Sequence, residues 1–372
     1  MLALTDTSIT ELQQNRGKQA RMECCVIMTS TIKSPTFKQF RAAYRQSFRD
    51  AHSISKRLIS KTLRRKDKHL EGLIHLALGD KAPTEYPFLF RYSYSDAEQD
   101  YEKIKPLLAA LHLLQRSTFV VDDIFDLSGL RGHKKTVCKE YSTDYAIIAG
   151  EILQSLALET ICSELRNDIF KNKTLVLKIL NQTVREVYLG QYLDIYNSSN
   201  HRIKVADYYR VISLTTGKFL ANVAKSGALL ANKSESDTGA LTKYGYYYGM
   251  AMQITDDICD IIQKPSMTGK SFASDLKCRR MRLPYILALN LSNKKDVGYL
   301  RGFLRKRNLS TSNIHYVVDI IEQCGAINDC MTIAKHFITK SVKSISCLKN
   351  SLTRQYLIWL SENLLGSVYI SG

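Results

Sequence analysis

Residues Leu107–Asp126 read LLAALHLLQRSTFVVDDIFD. Leu107, Leu108, Leu111, Leu114 and Thr118 recur at the spacing of one helix face, and the run continues through Phe119 and Val121 into three acids. Gly249–Asp260, GMAMQITDDICD, repeats the design, again ending Asp-Asp-x-x-Asp. Prolines stand only at 35, 83, 87, 106, 265 and 284, so residues 107–264 contain none. Long helices need such a stretch, because proline breaks the backbone ladder. Within it, Ile148, Ile152, Leu153, Leu156 and Ile161 keep the helical period, as do Val176, Ile179, Leu180, Val184, Val187 and Tyr188. The pattern predicts an all-α protein of about ten or more helices. Residues 1–34 read as a basic N-terminal extension and 35–372 as one helical domain. Expected loops are Lys81–Ser95, with Pro83, Pro87 and five aromatics, then Leu127–Lys135, Asn197–His201, Asn232–Thr238 and Pro265–Phe272.

Composition narrows the function. Of 372 residues, 45% are hydrophobic and 24% charged, which excludes wholesale disorder. No transmembrane segment is expected, since the most apolar stretch, Tyr145–Ile161, contains Glu151 and Glu159. The net charge is +18, concentrated early: Arg16–Lys68 holds fifteen basic and three acidic residues. A basic arm suits nucleic acid, an anionic membrane, an organellar address or an anionic substrate. No nucleic-acid motif follows it, so nucleic acid is not an expected partner. Nine scattered cysteines without CxxC spacing indicate reduced thiols in an intracellular, cytoplasmic setting. Residues 12–49, basic and almost free of acids, also fit a mitochondrial or plastid address.

The two acidic clusters carry the chemistry. On a helix, positions i and i+4 share a face, so Asp122 should point with Asp126, and Asp256 with Asp260. Carboxylates in an apolar register cost several kcal/mol unless cations compensate them. Magnesium is the natural cation, because it prefers oxygen ligands and bridges carboxylates to phosphates. One such cluster alone would read as a solvated helix face; two copies, each followed by a basic loop, point to a polyanion site. The basic loops are Leu130-Arg131-Gly132-His133-Lys134-Lys135 and Gly269-Lys270 with Ser274-Asp275-Leu276-Lys277. Between the clusters, Gln191 and Asp194 share a helix face, and Thr215-Thr216-Gly217-Lys218 follows. EF-hand spacing is absent, which disfavours a calcium-binding interaction module.

This set resembles the trans-isoprenyl diphosphate synthases, which make geranylgeranyl and longer polyprenyl diphosphates. The matching segments are LLQRSTFVVDDIFD, LRGHKKT, AIIAGEILQSLALE, GQYLD, TTGKFLANVAKSGALLA and GMAMQITDDICD…TGKSFASDL, spanning roughly residues 60–290. The resemblance implies the isoprenoid synthase fold: a single-domain helical bundle around a central cavity, usually a homodimer. It implies about three Mg2+ ions between the acidic helices, with Mn2+ as a substitute. The implied reaction joins an allylic prenyl diphosphate to isopentenyl diphosphate, giving a longer trans-prenyl diphosphate. Asp122, Asp126 and Asp256 match direct metal ligands; Asp123, Asp257 and Asp260 match supporting acids. Lys270 and Arg131 match groups that grip the allylic diphosphate. Gln191, Thr216, Lys218 and Gln253 match or neighbour polar positions beside it.

The chain departs from the family at the second anion site. The usual Gly-Gly-Lys-x-x-Arg-Pro stretch corresponds to Thr62–Lys68, leaving Arg64, Arg65 and Lys68 as candidates. Gln115 matches a family position that contacts isopentenyl diphosphate. An Arg-Arg pair is reduced to Arg131-Gly132, and Arg279-Arg280 stands where Gly-Lys is common. These losses also fit a terpene synthase on the same fold, which ionises one prenyl diphosphate such as farnesyl or geranylgeranyl. Ser117 and Thr118, five and four residues before the first motif, are small, which favours products of about 20 carbons or more.

Overall fold

The computed structural model describes residues 36–63, 67–79, 84–166, 170–198, 203–263, 272–306 and 308–366. The N-terminal region 1–34 lies outside them, as do Arg64, Arg65 and Lys270. The helices in chain order are α1 (Phe37–Leu63), α2 (Lys68–Leu78), α3 (Glu85–Tyr94), α4 (Glu98–Phe125), α5 (Val137–Glu140), α6 (Thr143–Glu164), α7 (Lys173–Asn197) and α8 (Val205–Ile212). A π turn at Ser213–Gly217 precedes α9 (Lys218–Leu230) and α10 (Glu235–Ile262). Then come α11 (Ser274–Lys277), α12 (Leu283–Leu291), α13 (Lys294–Arg305), α14 (Thr311–Gln323), α15 (Ala326–Ser344) and α16 (Leu352–Glu362). The two strands among the described residues, β1 (Leu130–Arg131) and β2 (Lys134–Lys135), form a hairpin. The fold class is therefore all-α, as the periodicity requires.

Lys81–Ser95, expected to be a loop, is mostly helix α3. Pro87 stands in its first turn, where a missing N–H breaks no ladder bond. Tyr86, Phe88, Phe90 and Tyr92 are all buried. At roughly 1.5–3 kcal/mol per large apolar side chain, their burial outweighs the weak helix propensity of aromatics. Likewise α4 begins at Glu98 and runs through Pro106 rather than starting after it.

The core has two parts. One gathers α1–α4, α6, α7, α9, the first half of α10 and α16; Leu241, Tyr244 and Tyr248 are the α10 contribution. The other gathers α8, the second half of α10 and α12–α15, with Met250, Ile254 and Ile258 from α10. Helix α6 is long and apolar enough by composition to cross a membrane, but it lies along α4 with Ala146, Ala149, Leu153, Ala157 and Ile161 fully buried. The acidic ends of α4 and α10 fall where the two cores meet.

Candidate active site

Close backbone approach builds the walls. A Cβ on Gly190 of α7 would sit 2.6 Å from Thr215 Cγ2, and one on Gly249 of α10 would sit 2.9 Å from Thr216 O. Glycine at both positions lets the π turn nest between α7 and α10. Thr215 and Thr216 therefore face a cavity of about 140 Å³ that Asp122, Asp126, Gln191, Asp194, Asp256 and Asp257 also line. One water needs only about 10–15 Å³ of such space, so the acidic walls stand apart rather than in contact.

The first motif behaves as its spacing requires. Asp122 and Asp126 both line the cavity, while Asp123 is buried behind them. Beyond the helix end, Gly132 (φ 58°) and His133 (φ 66°) make a two-residue hairpin turn of left-handed residues. The hairpin folds Arg131 back onto the motif. Its Nη2 donates to Asp122 Oδ2 at 2.9 Å and its Nε to Asp123 Oδ1 at 2.8 Å. Gln191 Nε2 donates to Asp122 Oδ1 at 2.6 Å.

The second motif differs from its spacing. Asp256 and Asp257 line the cavity. Asp260, expected beside Asp256, instead accepts bonds from Ser274 N, Ser274 Oγ and Asp275 N. Those three donors at the start of α11 satisfy the carboxylate and draw it out of the lining. Asp257 accepts from Tyr208 Oη at 2.6 Å and Gln253 Nε2 at 3.0 Å, and Gln253 Oε1 accepts from Thr216 Oγ1 at 2.8 Å.

Two arginines absent from the expected site pair with its acids, and one of them, Arg282, lines the cavity. Arg280 Nε donates to Asp126 Oδ1 at 2.8 Å and lies 3.6 Å from Asp194 Oδ2. Arg282 Nη1 donates to both oxygens of Asp194 at 3.1 Å, and its Nε lies 3.2 Å from Asp275 and 3.9 Å from Asp257. The signal was present in the run Arg279-Arg280-Met281-Arg282 before Pro284. Sequence spacing alone did not show that this run folds back between the motifs.

Other expected residues lie elsewhere. Lys218 pairs with Glu186 at 2.8 Å and is not in the cavity lining. Lys68 is exposed at the start of α2, away from the lining. Gln115 is buried beside Tyr86, with its Oε1 unbonded. Ser117 is buried under α6, near Gly150, whereas Thr118 does line the cavity. The bulk at the cavity floor comes from Tyr86 and Phe219, whose rings lie 4.7 Å apart.

A smaller basic pocket of about 30 Å³ lies behind the first motif, lined by Arg116, Arg131, Lys134 and Lys135. Gly79 holds a left-handed φ of 74° there that favours glycine, and a Cβ would push the Arg116 guanidinium aside.

Among the described residues, no three His, Cys, Asp or Glu side chains converge closely enough to hold a metal ion unaided. The donor set still fits a hard divalent cation. Among the described residues, Asp122, Asp123, Asp126, Asp194, Asp257 and Asp275 meet the guanidinium groups of Arg131, Arg280 and Arg282, and Asp256 lines the same cavity. Burial, with nearby carboxylates, pushes Asp126 and Asp257 up to about 7 despite the arginines. A site with this excess of buried negative charge calls for cations.

An all-α bundle with two aspartate motifs across one cavity defines an isoprenoid synthase. The chain belongs to the polyprenyl synthetase family, whose model matches residues 67–321. It is 30% identical over 236 residues to a short chain isoprenyl diphosphate synthase of Methanocaldococcus jannaschii, covering 63% of this chain and 71% of that one. It is 26% identical to a geranylgeranyl diphosphate synthase of Methanosarcina mazei, covering 72% and 80%. The fold matches a geranylgeranyl pyrophosphate synthase of Corynebacterium glutamicum, solved with isoprenyl diphosphate and magnesium, at a TM-score of 0.76 and 18% identity, over 89% and 99% of the chains.

Proposed function

We propose that this protein is a prenyltransferase that condenses an allylic prenyl diphosphate with isopentenyl diphosphate and releases inorganic diphosphate. The observation that carries the reading is the facing pair of aspartate walls, with their excess of carboxylates over guanidinium groups. In the reaction the allylic C–O bond breaks and its electron pair leaves with the diphosphate. The double bond of isopentenyl diphosphate attacks the allylic carbon, and a proton is then lost from the new cation. The product is a diphosphate five carbons longer.

Asp122 and Asp126 on one wall and Asp256 and Asp257 on the other would hold Mg2+, or Mn2+ in its place. The bound ions would supply the positive charge that makes diphosphate a good leaving group. Gln191 and Arg131 fix the orientation of Asp122, and Thr216, through Gln253, that of Asp257. Tyr86, Phe119 and Phe219 present aromatic faces in the lining, suited to a hydrocarbon chain with cationic character. The basic pocket of Arg116, Lys134 and Lys135 is the proposed anchor for the second diphosphate, replacing the expected stretch at Thr62–Lys68.

A homodimer is the proposed assembly. Ile147 and Ile148 of α6 and Leu189, Tyr192 and Tyr196 of α7 are 48–66% exposed, an apolar face that a second copy would cover.

One observation favours a single-substrate terpene synthase instead. The cations in the main cavity lining, among the described residues, are Arg131 and Arg282, and both are engaged by carboxylates. A product assay separates the readings. Farnesyl and geranylgeranyl diphosphate are supplied with Mg2+, with and without isopentenyl diphosphate. Longer diphosphates that form only with isopentenyl diphosphate support condensation. Hydrocarbon or alcohol released without it supports the second reading. Asp256→Ala should lower turnover by orders of magnitude with its helical signal intact; full activity in that variant would remove the site assignment.

A further inference from the structure

Asp194 is the meeting point of the interior ion pairs. It sits on α7, is 8% exposed at its side chain, and receives Arg282 through both oxygens while Arg280 approaches at 3.6 Å. Arg280 continues to Asp126 at the end of the first motif. Arg282 continues to Asp275 and Asp257, the latter inside the second motif. One guanidinium thus touches acids from three separate segments, at the place where the two walls approach. Both of its bonds to Asp194 use Nη1, and its Nε makes no hydrogen bond although it lies within ion-pair distance of two carboxylates. A planar fork with donors to spare, held among carboxylates and lining the cavity, suits a phosphate oxygen as well as a carboxylate.

We infer that Arg282 is a resident cation of this site, doing part of the charge compensation that divalent ions would otherwise supply, and that it donates to the diphosphate once substrate is bound. The inference rests on the metal-and-diphosphate reading above and adds to it a positioning group that the acidic motifs do not contain. Two consequences have opposite sign. Removing the charge leaves the acids less compensated, so a divalent ion binds them more tightly. It also takes a donor from the diphosphate, so the anion binds less tightly. A guanidinium that merely pins α7 to α10 lacks the first consequence, because its loss loosens the metal ligands and weakens both kinds of binding.

The test uses the full chain with Mn2+ and inorganic pyrophosphate as probes. Free Mn2+ is followed by electron paramagnetic resonance without any diphosphate, and pyrophosphate binding by calorimetry at saturating Mn2+. For Arg282→Met, Mn2+ affinity should rise about tenfold and pyrophosphate affinity fall about tenfold. Arg282→Lys, which keeps the charge, should stay within about threefold of wild type on Mn2+. If Arg282→Met loses its circular dichroism signal, Arg282→Gln carries the same expectation. Failure of both to fold assigns a purely structural role and overturns the inference. Unchanged or weaker Mn2+ binding in a folded variant overturns it too, and leaves the proposed function standing. Wild-type protein that binds neither probe overturns both together.

Discussion

Replacing Asp194 with Asn keeps the side chain's shape and removes the charge on which two arginines converge. Arg280 and Arg282 are only 4% and 14% exposed at their side chains, and Asp194 only 8%. Water therefore reaches these groups only through the cavity and compensates the lost partner poorly. Breaking a buried ion pair from one side costs about 3–5 kcal/mol, far above the 0–1 kcal/mol of a surface pair. The loss should fall toward the lower end, near 3 kcal/mol, because Asp126, Asp257 and Asp275 remain as alternative partners. Urea unfolding followed by circular dichroism measures it, as a lower midpoint with the slope unchanged. The double variant Asp194→Asn with Arg282→Gln should lose less than the sum of the two single losses by about 1 kcal/mol or more, since the pair fails together. A loss below about 1 kcal/mol for Asp194→Asn, or strict additivity in the double variant, would refute the argument that these charges are mutually dependent.

Gly79→Ala should place a methyl group on the Arg116 guanidinium and strain a left-handed residue, costing roughly 1–3 kcal/mol. In steady-state kinetics its main effect should be a raised KM for isopentenyl diphosphate; an unchanged KM would detach the basic pocket from substrate. Acid should destabilise the protein through His112, which burial first, then Arg116 and His52, holds below the ordinary histidine range. The unfolded chain then binds a proton that the folded chain refuses, so stability is complete above the unfolded value of about 6.5 and declines as pH falls below it. His112→Asn should flatten that decline in chemical unfolding at pH 5 against pH 7; an identical slope would exonerate the pair His52–His112.

The parts legible in the sequence were those set by local periodicity. The Leu107–Asp126 run gave a helix with Asp122 and Asp126 on one side, because the groups that bind them, Arg131, Gln191 and Arg280, leave both carboxylates on the cavity. Asp260 defied the same rule, since three donors at Ser274 and Asp275, fourteen or fifteen residues away, outbid the cavity. Helix α3 was hidden by prolines and by aromatics of weak helix propensity, a local signal overridden once four rings are buried. Lys218 looked available until Glu186, thirty-two residues earlier, claimed it. Arg282 was invisible for a related reason: its partners lie on α7, α10 and α11, and only the tertiary fold brings them together.

The division of the interior into two cores has a mechanical meaning. The first motif and Asp194 ride on helices rooted in one core, and Asp257 rides on the stretch of α10 rooted in the other. Helix α10 crosses from one to the other without a break, like an axle through two wheels. The gap between the acidic walls therefore lies where the two cores meet on one continuous helix. Arg280 and Arg282, which reach across from the second core to Asp126 and Asp194, act as tie rods that set the resting width of the gap. The acidic walls are therefore spanned by ion pairs, the contacts for which an incoming anion competes.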